Sequence, residues 1–566
     1  MFDPIAYINE PRWQKVSLGL SRIELLLELL GNPQNQLKFV HVAGTNGKGS
    51  VCAYLEAILR EGGLKTGLFT SPYIDHFEER IRVNNEDIDI NNLTRITLLV
   101  KEKALQVENQ LGEHPTEFEL MTAVAFVYFF QQLCDICVVE VGLGGRLDST
   151  NVITPLLSVI TKIGLDHTAI LGDSLEKIAY EKAGIIKPGV RVVVDQQTEE
   201  ARLAIEKVAN ETNSEIIYVD KASLRQGGLL MCCKQNEPIF SECDCEDVVF
   251  DHSHRRNYLT SSVEPFSSID ADRLSNLAHV RDSENNCNLQ FVSETNKSCE
   301  CNSYFHCSFN ATRSFLYRNK SYYTQLLGAY QPENAAVAIE AAFALGIDES
   351  KIQAGIENAT WPGRFELFSC GLPCLVFVDG AHNPDGAAAL RDSLLDVTKA
   401  LKSRVFCIQE QTLQIMSDLN NEELKIKSDL KNIDFQNMSD LKVETADFDQ
   451  KHKSDICLKN VKIIAVMGVL KDKDARGILE NVGDLIDEFY VYEPNNPRKL
   501  PADDLSALTF EYGVTHETSN AREALDAALK CAVHEATKKD TQSVIVCFGS
   551  LYSVGELRAH LKEFAS

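Results

Sequence analysis

A chain of 566 residues is longer than one hydrophobic core usually serves, so two or more domains are expected. Its 44% hydrophobic and 24% charged residues describe an ordinary globular protein. A net charge of −26 excludes a general nucleic-acid binder, because nothing resembles a basic stripe able to neutralise phosphates, yet leaves room for a nucleotide held by a few local groups.

The first residues, MFDPIAYINEPRW, lack a basic segment followed by an apolar run, and no stretch approaches the roughly 18 apolar residues that span a bilayer. A cytoplasmic monomer with no membrane or nucleic-acid partner is expected. The 17 cysteines, eight of them between Cys232 and Cys307, are then read as reduced thiols.

In chain order, 37–44 reads as a buried strand, 50–61 as a helix stopped by Gly62-Gly63, and 65–70 as a further strand. A long apolar helix over 116–133 leads to a buried strand at 136–141. The strand pattern repeats at 156–161 and 191–195, with a helix around 175–183 between them. This alternation predicts a mostly parallel sheet covered on both faces. From about 226 to 320 the chain turns polar and irregular. An Ala-rich helix follows at 331–345. A second α/β unit is read from strand 374–379, helix 385–399, strand 405–408, strands 461–467 and 488–492, helix 521–536 and strand 543–547. Its interruption at 409–460 carries Ser-Asp-Leu at 417, 428 and 439 and reads as a solvated insertion.

The strongest local signal is Gly44-Thr45-Asn46-Gly47-Lys48-Gly49-Ser50, set between a strand and a helix. Glycines let backbone N–H groups close on phosphate oxygens, and the following helix points its positive end at the same place. Lys48 can reach the outer phosphates, and the Ser50 hydroxyl can join the phosphate or Mg²⁺ network. The spelling differs from the common P-loop, because Gly49 separates the lysine from the serine.

His41-Val-Ala-Gly-Thr-Asn-Gly-Lys-Gly-Ser50 resembles the P-loop of folylpolyglutamate synthases and dihydrofolate synthases, within the Mur ligase superfamily. Other stretches agree in order: Thr70-Ser-Pro72, Phe118-Glu119, Val139-Glu-Val-Gly-Leu-Gly-Gly-Arg-Leu-Asp-Ser-Thr-Asn151, Gly164-Leu-Asp-His167, Glu181-Lys-Ala-Gly-Ile185, Pro362-Gly-Arg-Phe-Glu366, Asp379-Gly-Ala-His-Asn-Pro384 and Lys471-Asp-Lys-Asp474. The resemblance implies an N-terminal ATP-binding domain over 1–360, carrying a Cys-rich insertion at about 226–320. A C-terminal Rossmann-like domain over 361–566 carries the insertion at about 409–460.

The resemblance also assigns sites. Ser71, Glu140 and His167 are the implied Mg²⁺ ligands, although His167 by itself reads as a capping or core histidine. Lys182 matches a lysine that CO₂ carbamylates to bind a second Mg²⁺, chemistry that requires a neutral, buried amine. Arg364 matches a linker arginine reaching the γ-phosphate. Asp379 and His382 lie where the C-terminal domain meets nucleotide and phosphate. Asn334 matches an adenine contact, with a helix cap as the less favoured reading. Lys48, Lys182 and His382 are the implied catalytic residues. The pterin site is implied at Ser17, Leu18, Gly19 and Leu20, at Thr116, Glu117, Phe118 and Glu119, and at Leu147, Asp148 and Ser149. Asp148 reads equally as a turn residue.

The implied activity joins L-glutamate to a carboxylate on dihydropteroate, on reduced folate, or on both, with ATP forming an acyl phosphate. Arg146 and Asp148 resemble the bifunctional bacterial pattern. A muropeptide ligase of the same superfamily is disfavoured by the folate-type motifs. A regulatory protein that no longer catalyses is disfavoured because Lys48, Glu140, His167 and Lys182 are all present. Cys243-Asp-Cys245 and Cys299-Glu-Cys301, with His252 and His254, could bind zinc; a variable surface insertion is preferred, since structural zinc pairs usually have wider spacing.

Overall fold

The computed structural model describes residues 2–10, 17–234, 308–368, 374–402, 460–536 and 541–565. Eight strands make the first sheet: β1 (Phe39–Ala43), β2 (Thr66–Phe69), β3 (Ile81–Val83), β4 (Glu86–Asp87), β5 (Ile136–Glu140), β6 (Leu157–Ile160), β7 (Val192–Val194) and β8 (Ile216–Tyr218). Their order is β4-β3-β2-β5-β1-β6-β7-β8. The six strands from β2 to β8 in that order are parallel, and the β2–β3 and β3–β4 pairings at one edge are antiparallel. Every residue of β1, β5 and β6 is buried, the mark of strands covered on both faces.

Alternation along β1 sorts its side chains between two layers. Phe39 meets Phe126 with ring centroids 5.3 Å apart, in the core formed with helices Ser21–Leu29, Ile90–Leu111 and Glu117–Gln131. Val40 and Val42 face the opposite core, built with helices Lys48–Glu61, Gln331–Ala344 and Glu349–Asn358. Each such fully buried aliphatic side chain contributes about 1.5–3 kcal/mol.

The region read as irregular is corrected at both ends. Strands β9 (Arg225–Lys234), β10 (Ser308–Tyr317) and β11 (Lys320–Thr324) pair antiparallel in the order β11-β10-β9. Its polar composition hid a half-buried ribbon whose inward residues include Met231, Phe315 and Tyr322. The Cys243, Cys245, Cys299, Cys301, His252 and His254 cluster lies outside the described residues. So do the strand read at 405–408 and the Ser-Asp-Leu repeat.

A second sheet comprises β12 (Glu366–Phe368), β13 (Leu375–Val378), β14 (Asn460–Met467), β15 (Glu488–Val491), β16 (Val514–Glu517) and β17 (Thr541–Phe548), in the order β12-β13-β17-β14-β15-β16. All neighbours are parallel except β12. Both sheets are the mixed, mainly parallel α/β arrangement that the alternating pattern predicts.

The last helix, Leu551–Ala565, reaches from the second sheet to the segment after β2. Arg558 donates from Nε to Glu366 at 2.6 Å and from Nη1 to Asp75, and Lys562 Nζ donates to Asp75 at 2.9 Å. These bonds seat the second sheet against the loop that carries Ser71.

Candidate active site

The P-loop is shaped by contacts across the strand ends. Thr45 N donates to Lys162 O at 2.9 Å, and Thr45 Oγ1 both donates to Gly164 O and accepts from Gly164 N, each at 3.0 Å. Thr161 Oγ1 donates to Asn46 O at 2.7 Å. A Cβ on Gly44 would sit 1.8 Å from that same Thr161 oxygen, so only glycine lets the loop close against β6. Gly47, at φ +89°, then turns the chain into helix Lys48–Glu61.

Helix Gln331–Ala344 abuts this turn. Gln331 Nε2 donates to Ser50 Oγ at 3.3 Å, and Asn334 Nδ2 donates to Gln331 Oε1 at 3.2 Å. The sequence separates Ser50 and Asn334 by nearly three hundred positions; the packing puts them on one wall.

Glu140 ends β5 with 4% exposure and accepts from Ser71 N at 3.2 Å. Burial raises its pKa, against the opposing charges of Lys48 and Arg364. A desolvated carboxylate with one hydrogen bond from Ser71 fits a hard cation. His167 stands beside Asp166, and burial lowers its pKa, keeping a nitrogen lone pair available. Among the described residues no three His, Cys, Asp or Glu side chains cluster as a metal cage. A cation held by Glu140, Ser71 and His167 therefore needs phosphate oxygens or water to complete its shell, the usual habit of Mg²⁺.

Lys182 is buried at 6% exposure, and its Nζ donates to Gly44 O at 2.7 Å. Burial and the nearby charge of Lys48 lower its pKa to about 7. The amine is thus poised near neutrality, but the P-loop carbonyl occupies it.

The second sheet contributes the opposite wall. Asp379, at the end of β13, accepts from Ala381 N at 2.8 Å and from Tyr330 Oη at 3.1 Å. Burial raises its carboxyl pKa and the Arg364 charge opposes that. His382 Nδ1 lies 2.7 Å from Gly380 O, so Nδ1 carries the proton and Nε2 offers a lone pair. Burial lowers its pKa to about 4, and the ring is neutral at physiological pH.

On the third side Arg22 knits two segments together. It donates to Glu119 from Nε at 3.1 Å, to Glu113 from Nη1 at 2.9 Å, and to Ser17 O from Nη2 at 2.7 Å. Thr116 and Glu119 close a reciprocal capping box on helix Glu117–Gln131. Asp148 is a loop organiser: Oδ1 accepts from Thr150 N and Oγ1 at 3.0 and 2.5 Å, and Oδ2 accepts from Leu143 N at 2.8 Å. Because the Thr150 hydroxyl donates to Asp148, His41 Nε2 must donate to Thr150 Oγ1, 2.8 Å away.

These walls enclose a cavity of about 550 Å³. It is lined by Thr45, Asn46, Gly47, Lys48, Gly49 and Ser50, by Ser71, Glu140 and His167, and by Asn334, Arg364, Asp379 and His382. Ser17, Leu18, Gly19, Thr116, Phe118, Glu119, Leu147, Asp148 and Ser149 line it too. Three expected residues lie off its wall. Lys182 is turned to Gly44, Leu20 packs into the helical core, and Glu117 faces Arg80 at 3.8 Å. Arg146 bonds Glu181 at 2.8 Å and does not reach the cavity. Arg80, Tyr330 and Asp166 line it and were not singled out. Asp166 lies inside the Gly164-Leu-Asp-His167 stretch, which was the available signal for it, whereas Arg80 sits in no motif. Arg22 carried none, because its partners are 91 and 97 positions away.

Comparison with known proteins follows this geometry. The Mur ligase middle domain matches residues 42–227. The dihydrofolate synthase/folylpolyglutamate synthase of Bacillus subtilis is 34% identical over 387 residues, covering 67% of this chain and 72% of that protein. The dihydrofolate synthetase of Saccharomyces cerevisiae is 49% identical over 189 residues, covering 33% of this chain and 43% of that one. The fold is that of Mycobacterium tuberculosis folylpolyglutamate synthase, solved with ADP, at a TM-score of 0.68, 23% identity and 99% coverage of both chains.

A nucleotide loop facing a second α/β sheet across one cavity defines an ATP-dependent ligase of the Mur type. The chain belongs to the dihydrofolate synthase/folylpolyglutamate synthase family. Enzymes of this family use ATP to add glutamate to a folate-type carboxylate. Among the described residues no helix is long and apolar enough to cross a membrane.

Proposed function

We propose that this chain adds L-glutamate to the carboxylate of both dihydropteroate and reduced folates, through an acyl phosphate, as a cytoplasmic monomer without nucleic-acid or membrane partners. One observation carries the reading: the P-loop, the Glu140–Ser71 pair and the Arg364–Asp379–His382 group line a single cavity. The two-domain reading, 1–360 and 361–566, is supported by the separate sheets, with the cavity at their junction.

A carboxylate resists an amine at neutral pH because its oxygen leaves poorly. In the proposed route a carboxylate oxygen bonds to the γ-phosphorus of ATP and the bond to the β–γ bridging oxygen breaks, releasing ADP. The glutamate nitrogen then bonds to the acyl carbon, loses a proton, and phosphate leaves. Lys48 and the N-terminus of helix Lys48–Glu61 hold the phosphates. Arg364 adds positive charge from the other wall, close enough for its charge to act on the Asp379 carboxylate that Tyr330 holds. His382 lines the same cavity, and its unprotonated Nε2 suits it to accept a proton or hydrogen bond from the attacking amine. Mg²⁺ bound by Glu140, Ser71 and His167 would neutralise phosphate charge. Closure of the two walls excludes water, which would otherwise hydrolyse the acyl phosphate.

Lys182 is assigned to carbamylation by CO₂, in keeping with a pKa near 7: the neutral amine, turned from Gly44 O, bonds to the CO₂ carbon and loses a proton, and the resulting carboxylate would supply oxygen ligands for Mg²⁺. Undiminished activity in Lys182→Ala would remove this assignment. For the reaction as a whole, phosphate release is measured with ATP, Mg²⁺ and glutamate, comparing dihydropteroate with tetrahydrofolate. Turnover with both is expected. Turnover with one narrows the enzyme to that branch, and silence with both refutes the ligase reading.

A further inference from the structure

Arg80 has no task in the reaction just described. It ends the short turn Phe77–Arg80 and lines the cavity together with Ser71, Pro72 and Phe118. Its side chain keeps 11% exposure. A guanidinium so far removed from water needs an anion and acceptors for its N–H groups.

It has few. Nη1 donates to Met121 Sδ at 3.0 Å, a weak acceptor. Glu117 Oε1 comes no nearer than 3.8 Å. Nε is buried without a partner among the described residues. The Tyr73 and Phe77 rings lie 4.9 and 5.4 Å from the guanidinium carbon, steadying the group while leaving its N–H edge uncommitted. Burial lowers the pKa of Arg80 and raises that of Glu117, as expected where neither charge compensates the other fully.

Two other buried arginines show the contrast. Arg22 places its guanidinium on Glu119, Glu113 and Ser17 O. Arg313 meets Asp396 at 2.8 Å and Leu327 O at 2.7 Å; its Nη2 has no partner among the described residues, but it lines no part of the cavity. Arg80 alone of these three is both underpaired and on the cavity wall.

We propose that Arg80 binds a carboxylate of the incoming glutamate and so positions its amino group for attack. The inference rests on the ligase reading above. Glutamate brings two carboxylates into a protein whose net charge is −26, and neither of them reacts. A permanent charge-assisted pair with either is therefore compatible with turnover. The pterin carboxylate, by contrast, must surrender its charge to the phosphoryl group. Lys48 and Arg364 stand on the nucleotide side, which leaves Arg80 to the amino acid.

The test uses Arg80→Gln and Arg80→Lys in the full chain, with dihydropteroate as acyl substrate. That substrate has no glutamyl tail, so the incoming amino acid is the sole source of a glutamyl carboxylate; tetrahydrofolate replaces it if the wild type turns over that substrate alone. The KM for glutamate is expected to rise on the order of 10- to 100-fold in Arg80→Gln, with a smaller rise in Arg80→Lys. The KM values for ATP and for the pterin stay unchanged, and ADP affinity reports an intact nucleotide wall. Wild-type discrimination against glutamine or against the α-amide of glutamate also collapses, and which one collapses identifies the carboxylate held. A rise in the pterin KM with the glutamate KM unchanged overturns the proposal. So does a uniform fall in kcat with selectivity intact, which makes Arg80 a prop for the Tyr73–Phe77 turn. A wild type silent on both pterins refutes the ligase reading itself, an outcome distinct from failure of the Arg80 variants alone.

Discussion

Replacing Gly47 by alanine perturbs the nucleotide loop in two separable ways. The residue sits at φ +89°, and an added Cβ would lie 2.4 Å from Asn334 Oδ1 and 3.3 Å from Asn334 Cγ. Left-handed backbone disfavours an L-residue by about 1–2 kcal/mol. Forcing a methyl against a packed side chain costs about 1–3 kcal/mol more. Gly47→Ala is therefore expected to lose roughly 2–5 kcal/mol, read by urea denaturation, and to weaken ADP binding measured by calorimetry. Asn334→Ala removes every atom that the new methyl strikes and leaves the backbone strain untouched. The double variant should regain about 1–3 kcal/mol relative to the additive expectation and keep a deficit of about 1–2 kcal/mol. Unchanged stability and ADP affinity in Gly47→Ala would refute the reasoning. Strict additivity in the double variant would refute the contact with Asn334.

Arg22→Met strands the buried Glu119 carboxylate and is expected to cost about 3–5 kcal/mol in denaturant; freed from Arg22, the Ser17 segment loosens, so the pterin KM rises while ADP affinity holds. Thr116→Ala breaks the capping box of helix Glu117–Gln131 and should cost about 1 kcal/mol by the same measurement. Lys182 has a folded pKa of about 7 against its ordinary 10.5, so the unfolded chain holds the extra proton between those values. Stability should climb as pH rises through that window, and Lys182→Met should flatten the climb in denaturation curves taken at several pH values. His382 has a folded pKa of about 4 against an ordinary 6.5. Stability should fall as pH drops through that interval, and His382→Asn should make the fall shallower.

Local order was legible in the sequence wherever one segment carries its own instructions. Phe39–Ala43 is uniformly apolar apart from His41, and Gly44–Ser50 requires a turn followed by a helix start, so strand, loop and helix follow from neighbouring residues alone. The same holds for Ile136–Glu140, whose terminal carboxylate marks the sheet edge where ligands gather. The edges of the Cys-rich segment were not legible, because β9 and β10 pair across 73 intervening residues and their polar alternation has meaning only once paired.

Tertiary structure alone decided which chemically plausible residues are left free to bind. Asp148 is spent on Thr150 and Leu143, Arg146 on Glu181, and the Lys182 amine on Gly44, although each reads from sequence as available. Arg80, which no motif highlighted, is left underpaired at the wall because its nearest carboxylate stops at 3.8 Å. A motif fixes the type of group and its place along the chain. Whether that group is free to bind depends on hydrogen-bond partners and desolvation supplied by distant segments, and these are set only when the sheets and helices pack.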